Sequence, residues 1–359
     1  MESNVRIIPL QANILSHFLS VVIKFLRKEV TRNRVLKLAK AFYSINDDVF
    51  LIDAGWNQVI GLAATYLVKG EKTCLIDGGT REGSKDLLKS LEALKVSFPD
   101  YIVLTHSHYD HTQGVPVIRE AAQKAGRDIE VYAHESGIER LADQSFNKVF
   151  DEKTTYYNIP DVHPLKHGDE LDLGGNQLKI LDAPGHIPDH IVVLEENSQI
   201  LFTGDAIGAQ YLENYPLPTF MPPLFNKTDY FKTLNMVKNI EFHGIALGHY
   251  GFYAHEAATT LVREAIATAE MWSQLLEQKT YQLADFNELF NDILRETALN
   301  EEILRTADFE VKPFMLRTMM GVINSIRRVL GKHPLAVSDQ MFPEFMKWTI
   351  KGYQESSSL

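Results

Sequence analysis

Cysteine is nearly absent: one residue, Cys74, in a chain of 359. That excludes an intrachain disulfide and a metal centre built from thiolates. Cys74 falls in the apolar pattern "EKTCLIDGG", where a buried, unreactive thiol is expected. Concentrated basic charge is also lacking, since 36 Lys and Arg face 47 Asp and Glu for a net of -11. Nucleic acid is therefore not an expected partner, because phosphate neutralisation needs clustered Lys and Arg. No apolar run approaches the roughly 20 residues of a membrane-spanning helix. The run "FLSVVIKFL" starts late, contains Lys24 and lacks a small-residue cleavage site after it, so it does not read as a secretory signal. A cytoplasmic, soluble protein is the expectation. No Walker A sequence, dinucleotide-binding glycine fingerprint or Gly-x-Ser-x-Gly elbow occurs, which argues against nucleotide-cofactor and serine-hydrolase chemistry.

What is present divides into three textures. Residues 1–43 carry eight basic and two acidic side chains, a net of +6 against -17 for the remainder. Ser16, Ser20, Lys24 and Arg27 fall opposite Leu15, Phe18, Val22 and Phe25, the pattern of an amphipathic helix. Such a helix suits docking on the acidic remainder, docking on a second subunit, or peripheral contact with an anionic membrane. Residues 44–255 alternate short apolar runs with helical patterns. The strand candidates are "DVFLIDAG", "AATYLVKG", "KTCLIDGG", "YIVLTH", "IEVYAH", "QLKILDAPGH", "HIVVLEE", "QILFTGD" and "GIALGHYG". Helical patterns lie in "REGSKDLLKSLEALK" and "GVPVIREAAQKAG", which together imply an α/β layered fold. Residues 256–359 read almost wholly as helix and form an expected C-terminal helical domain.

Titratable groups are concentrated at the ends of these strands. In "THSHYDHTQG", His106, His108, Asp110 and His111 occupy six positions immediately after the run "YIVL". His106 and His108 are two apart, so continued strand geometry would project them to the same side. Imidazole nitrogens with carboxylates suit Zn, Fe or Mn, whereas Ca and Mg favour shells of oxygen alone. His186 in "APGH", Asp205 in "FTGD" and His249 in "ALGH" each follow a glycine at the tip of another apolar run. A metal site gathered from several strand ends is the reading these positions share.

The ordered series His106-x-His108-x-Asp110-His111, then His186, Asp205 and His249, with "LIDGG" at Asp77 upstream, resembles the metallo-β-lactamase-fold superfamily, its glyoxalase II-like branch in particular. The resemblance implies an αββα sandwich with its site at one edge between the sheets. It implies that His106, His108 and His186 hold one cation, that Asp110, His111 and His249 hold another, and that Asp205 bridges them. Asp77 would orient ligands from behind. His134, ending "VYAH", is expected near the cleft, either in a structural or ligand-supporting role or against substrate. Two features depart from the pattern of many hydrolase members. Gln113 stands in "DHTQG" where two glycines are common, and the helical C-terminal region does not match the glutathione-binding positions of glyoxalase II.

The implied chemistry is hydrolysis of a small ester, thioester or lactone. Two divalent ions, Zn first and Fe or Mn as alternatives, would lower the pKa of a bridging water from about 15.7 toward neutrality. The hydroxide would attack a carbonyl whose oxygen one metal polarises. Asp110, Asp205 and Tyr250 are the expected catalytic participants, with Asp205 moving the proton and Tyr250 either donating to the oxyanion or packing on the sheet. The alternatives are a non-haem iron sulfur (persulfide) dioxygenase of the same superfamily and a membrane-surface metal-binding protein without catalysis. The segment "QYLENYPLPTFMPPLF" is expected as a wall of the site or as a loop clamped on the C-terminal helices. A homo-oligomer is compatible with all of these readings.

Overall fold

The computed structural model describes residues 42–54, 61–212, 215–249, 251–282, 286–297 and 341–356. The amphipathic extension expected over 1–43 lies outside them except for its last two residues, as do Tyr250 and the helical pattern from Val311 to Gly331.

Two sheets form the centre of the molecule. The first has seven strands in sequential order: β1 (Phe42–Ser44), β2 (Val49–Asp53), β3 (Ala64–Lys69), β4 (Thr73–Ile76), β5 (Tyr101–Val103), β6 (Glu130–His134) and β7 (Val162–Leu165). Strands β1 to β4 pair antiparallel, and β4 to β7 pair parallel. The second sheet contains β8 (Glu170–Asp172), β9 (Gln177–Asp182), β10 (Ile191–Glu195) and β11 (Ile200–Gly204). A two-stranded ribbon, β12 (Ala209–Leu212) and β13 (Tyr215–Leu217), follows, before β14 (Gly244–Leu247) and β15 (Phe252–Ala254) return to the second sheet. Its order is β15-β14-β11-β10-β9-β8.

Side-chain alternation explains why these strands read as continuous apolar runs. On β4 and β5, Cys74, Ile76, Tyr101 and Val103 face the second sheet, while Leu75 and Ile102 face outward. On β10, Ile191 and Val193 point inward and Val192 and Leu194 outward. Both faces are covered, so neither half of the period-two pattern is polar. The outer face of the first sheet packs on α1 (Ser84–Ala93) through Leu87 and Leu91. It also packs on α3 (Val115–Lys124) through Val115, Ile118 and Ala122. Between these two, α2 (Tyr109–Thr112) is a single turn after β5. Farther on, α4 (Ile138–Ala142) follows β6.

The outer face of the second sheet is covered by α5 (Lys227–Asn239) and α6 (Glu256–Gln278). Leu201, Ile245 and Leu247 meet Leu234, Leu261, Ala265 and Trp272 in one cluster. Residues of α7 (Phe286–Thr297) and α8 (Met341–Ser356), among them Leu289, Ile293, Met346 and Ile350, join the same cluster. The described helices from Glu256 onward thus share their apolar core with the second sheet. The layering is α/β/β/α, as the sandwich expectation requires. No described helix is long and apolar enough to cross a membrane.

Strands β4 and β5 run parallel, as do β11 and β14, and β9 runs with β11 because both are antiparallel to β10. Two backbone hydrogen bonds join the sheets at the edge where these strands end. Ile191 N–H donates to Thr105 O at 2.8 Å, and Ala64 N–H donates to Gly248 O at 2.8 Å.

Candidate metal centre

Each group in the cluster follows the end of a strand. Asp77 follows β4, His106 and His108 follow β5, and Asp110 and His111 lie on α2. His186 follows β9, Asp205 follows β11, and His249 follows β14. All eight side chains are buried. Burying this many titratable groups is unfavourable unless each is paired, so their partners define what the site is for.

Four imidazoles have Nδ1 tied to the protein and Nε2 left for the centre. His111 Nδ1 donates to Asp77 Oδ2 at 2.8 Å, and His186 Nδ1 donates to Thr219 O at 2.7 Å. His249 Nδ1 lies 3.2 Å from Leu62 O. Thr105 Oγ1 donates to the Asp77 carboxylate, which leaves its oxygen to accept from His106 Nδ1 at 3.1 Å. These partners fix the tautomer that exposes a lone pair on Nε2. His108 is inverted: its Nδ1 lies 3.1 Å from His106 Nε2 and 2.9 Å from His186 Nε2.

Asp205 occupies the middle. Its Oδ1 lies 3.2 Å from His111 Nε2, and its Oδ2 lies 3.2 Å from His249 Nε2 and 3.5 Å from His186 Nε2. Asp110 Oδ2 is 3.3 Å from His249 Nε2 and 3.9 Å from His111 Nε2. Three overlapping sets result: His106, His108 and His186; His106, His111 and Asp205; and Asp110, His111 and His249. Within each set the ligand atoms lie within 4.8 Å of one another.

The donor set fits a divalent cation. His111 Nε2 and Asp205 Oδ1 are buried, 3.2 Å apart, and neither is in hydrogen-bond geometry with any group. A cation between the two atoms would give both a partner. Gly248 keeps the space open. A Cβ there would stand 2.7 Å from His111 Cε1 and 3.1 Å from Asp205 Oδ1. The glycine before His249 therefore serves close approach within the turn that follows β14.

Charge balance gives the same answer. Burial works against charge on His249, yet the adjacent Asp205 and Asp110 carboxylates raise its pKa to about 9. His111 is likewise held well above the ordinary imidazole value by Asp205, Asp77 and Asp110 despite its burial. Burial holds His106 and His108 well below that value. Asp205, also buried, is kept well below the usual carboxylate range by His249 and His111. In the metal-free chain, protons on His111 and His249 thus do the neutralising that a cation would do.

The structure does not bring every expected residue to the cluster. His134 turns aside: its Nδ1 engages the Ser136 hydroxyl at 2.8 Å, and its Nε2 lies 3.2 Å from Asp182. Of the roles open to it, these contacts fit the structural one, a local cap at the end of β6. Phe220 and Phe225 are fully buried against Tyr230 and Tyr353, the clamped arrangement, while Thr219 and Met221 of the same segment line the cleft. Cys74 is buried and its thiol pKa is pushed up by that burial.

His190, four after His186 at the start of a strand, reads in sequence as structural support, whereas Gln144 and Asn147 gave no such signal. His190 stacks on His106 with ring centroids 4.8 Å apart, and its Nε2 accepts from Asp205 N–H at 3.0 Å. Gln113 is buried; its amide donates to Gln144 Oε1 and Tyr157 O, and its carbonyl accepts from Tyr157 N–H at 2.7 Å. Gln144 and Asn147 in turn donate to Ser107 O between the two histidines. The departure at Gln113 was thus the one signal that a side-chain network braces this loop.

A match to the model of the metallo-beta-lactamase superfamily covers residues 60–249, more than half of the chain. The chain belongs to the metallo-beta-lactamase superfamily. A metallo-beta-lactamase fold-containing protein of Sulfurisphaera tokodaii is 28% identical over 233 residues, covering 61% of this chain and 85% of that protein. A crystal structure of an archaeal superfamily protein from Sulfolobus tokodaii superposes with a TM-score of 0.50 at 25% identity, covering 72% of this chain and 99% of that one. A probable metallo-hydrolase of Methanocaldococcus jannaschii is 33% identical over 158 residues, covering 43% of this chain and 72% of that protein. The anaerobic nitric oxide reductase flavorubredoxin of Aliivibrio fischeri is 29% identical over 152 residues, 42% of this chain but only 28% of that longer protein.

Proposed function

We propose that the protein is a dinuclear metal-dependent hydrolase of a small ester, thioester or lactone. His106, His108 and His186 would hold one cation, Asp110, His111 and His249 the other, with Asp205 shared between them. The observation that carries this reading is Asp205, whose two oxygens reach histidines of both groups at 3.2–3.5 Å. Similarity to a probable metallo-hydrolase supports it. When bound, the cations supply Lewis acidity and bring the pKa of coordinated water from 15.7 toward about 7.

The chain's own residues do the rest. Asp77, Thr219 and Leu62 hold three imidazoles in the ligating tautomer. Asp110 and Asp205 both line the cleft, where a carboxylate can take a proton from the nucleophile and return it to the leaving group. Rigid ligands on strand ends keep reorganisation small during the reaction.

Purified protein should contain about two equivalents of metal, and chelation should abolish turnover of an ester, thioester and lactone panel. Full hydrolytic activity in a metal-free preparation would refute the reading. A second reading, redox chemistry at iron as in a persulfide dioxygenase, draws support from the similarity to a nitric oxide reductase flavorubredoxin. Iron as the bound metal, with oxygen consumption on persulfide and no ester turnover, would favour it.

A further inference from the structure

We propose that an apolar subsite walled by Phe150, Phe345, Trp348 and Met221 receives the uncharged alkyl or acyl part of the substrate beside the metal ligands. The proposal rests on the hydrolase reading for the reacting end of that substrate. The binding of the apolar end is argued separately, from the walls of the cleft.

Three rings lead out from the centre in sequence. His108 meets Phe150 edge to face at 5.2 Å, and Phe150 meets Trp348 edge to face at 5.2 Å. Phe345, three residues before Trp348 on α8, lies on the same helix face and lines the same cleft. Met221 lines the same cleft. Aromatic and thioether walls of this kind recognise apolar groups by shape and dispersion.

The charge pattern fixes the class of ligand further. Among the described residues lining the cleft, the charged groups belong to the proposed metal centre, and Phe150, Met221, Phe345 and Trp348 beside it are uncharged. A carboxylate or phosphate placed against these four side chains, away from the reacting bond, would be desolvated against apolar groups. A neutral chain meets no such penalty. The walls are also placed deliberately. Gly352 sits inside α8, where glycine costs about 1 kcal/mol relative to alanine. A Cβ at that position would stand 2.4 Å from Phe220 O and 2.8 Å from Met221 C. Glycine lets the helix rest flush on the 220–222 segment, and this brings Trp348 and Met221 to one cleft.

The test uses the full-length, metal-loaded protein with a series of unreactive neutral amides, butanamide, hexanamide and octanamide, titrated by calorimetry. Affinity should rise about fourfold for each methylene that enters the subsite, as burial of a CH2 group predicts. Trp348→Ala and, separately, Phe345→Ala should flatten that dependence while metal content stays at the wild-type level. The p-nitrophenyl esters of the same chain lengths should show the same trend in kcat/KM. Amide affinity independent of chain length, or an unchanged slope in both variants, overturns the subsite. Length-dependent amide binding without turnover of any ester supports the subsite and counts against the hydrolase reading. Turnover without length dependence does the reverse.

Discussion

Replacing Asp77 by Asn separates ligand orientation from folding. Asp77 accepts from Thr105 N–H at 2.8 Å, from Thr105 Oγ1, and from His111 Nδ1 at 2.8 Å. Its φ of 63° is in the left-handed region, which Asn tolerates better than most residues, so the backbone should not object. An Asn oxygen can keep the bonds from Thr105. Its NH2 would then face the His111 Nδ1 proton, donor against donor. The imidazole would answer by moving its proton to Nε2, the atom needed for the cation. Loss of such a supporting partner typically costs 10–100-fold in metal affinity, about 1.4–2.8 kcal/mol. Competition titration with a chromophoric chelator should therefore show two binding steps, one weakened by that factor and the other within about twofold of wild type. Equal weakening of both steps, or no change, would refute the claim that Asp77 sets the His111 tautomer.

Other perturbations follow from the same geometry. His249, with its pKa raised to about 9, and His111, raised well above 6.5, should be protonated in the metal-free chain at pH 7, so metal uptake should release protons. Calorimetry in buffers of different ionisation enthalpy would count them, and zero release would contradict the assignment. A raised folded-state pKa gives stability that is present below pH 6.5 and lost as pH rises through about 9. The chelated protein should accordingly lose Tm between pH 6.5 and 10 more steeply than the loaded one. Gln113→Gly removes three hydrogen bonds to Gln144 and Tyr157 and should cost about 2–4 kcal/mol, read as a lower urea midpoint. Gly248→Ala would push a methyl against His111 and Asp205, and elemental analysis should find it with less than half the wild-type metal.

The cluster was legible because its members follow closely on apolar runs, and β2 to β6, β9 to β11 and β14 each correspond to a run found in sequence. Strands with mixed patterns escaped notice. In β8, Glu-Leu-Asp offers one apolar residue, and β7 carries a proline in Val-His-Pro-Leu. Helix α5 was missed because Lys227–Asn239 mixes polar residues into its buried stripe. What sequence could not supply was pairing at a distance: Leu62 with His249, Thr219 with His186, and α8 with Phe150. Those contacts depend on how the two sheets and the C-terminal helices meet, which no local period encodes. His134 ends a strand as the clustered residues do, but its ring is taken up locally, accepting from Ser136 N–H beside β7.

The central claim is that one buried cluster holds two cations with Asp205 between them. Anomalous diffraction from crystals of the metal-loaded protein, collected on both sides of the metal absorption edge, tests it most directly. The account predicts two peaks, one among His106, His108 and His186 and the other among Asp110, His111 and His249, each within bonding distance of an Asp205 oxygen. A single peak, or peaks away from Asp205, would contradict it.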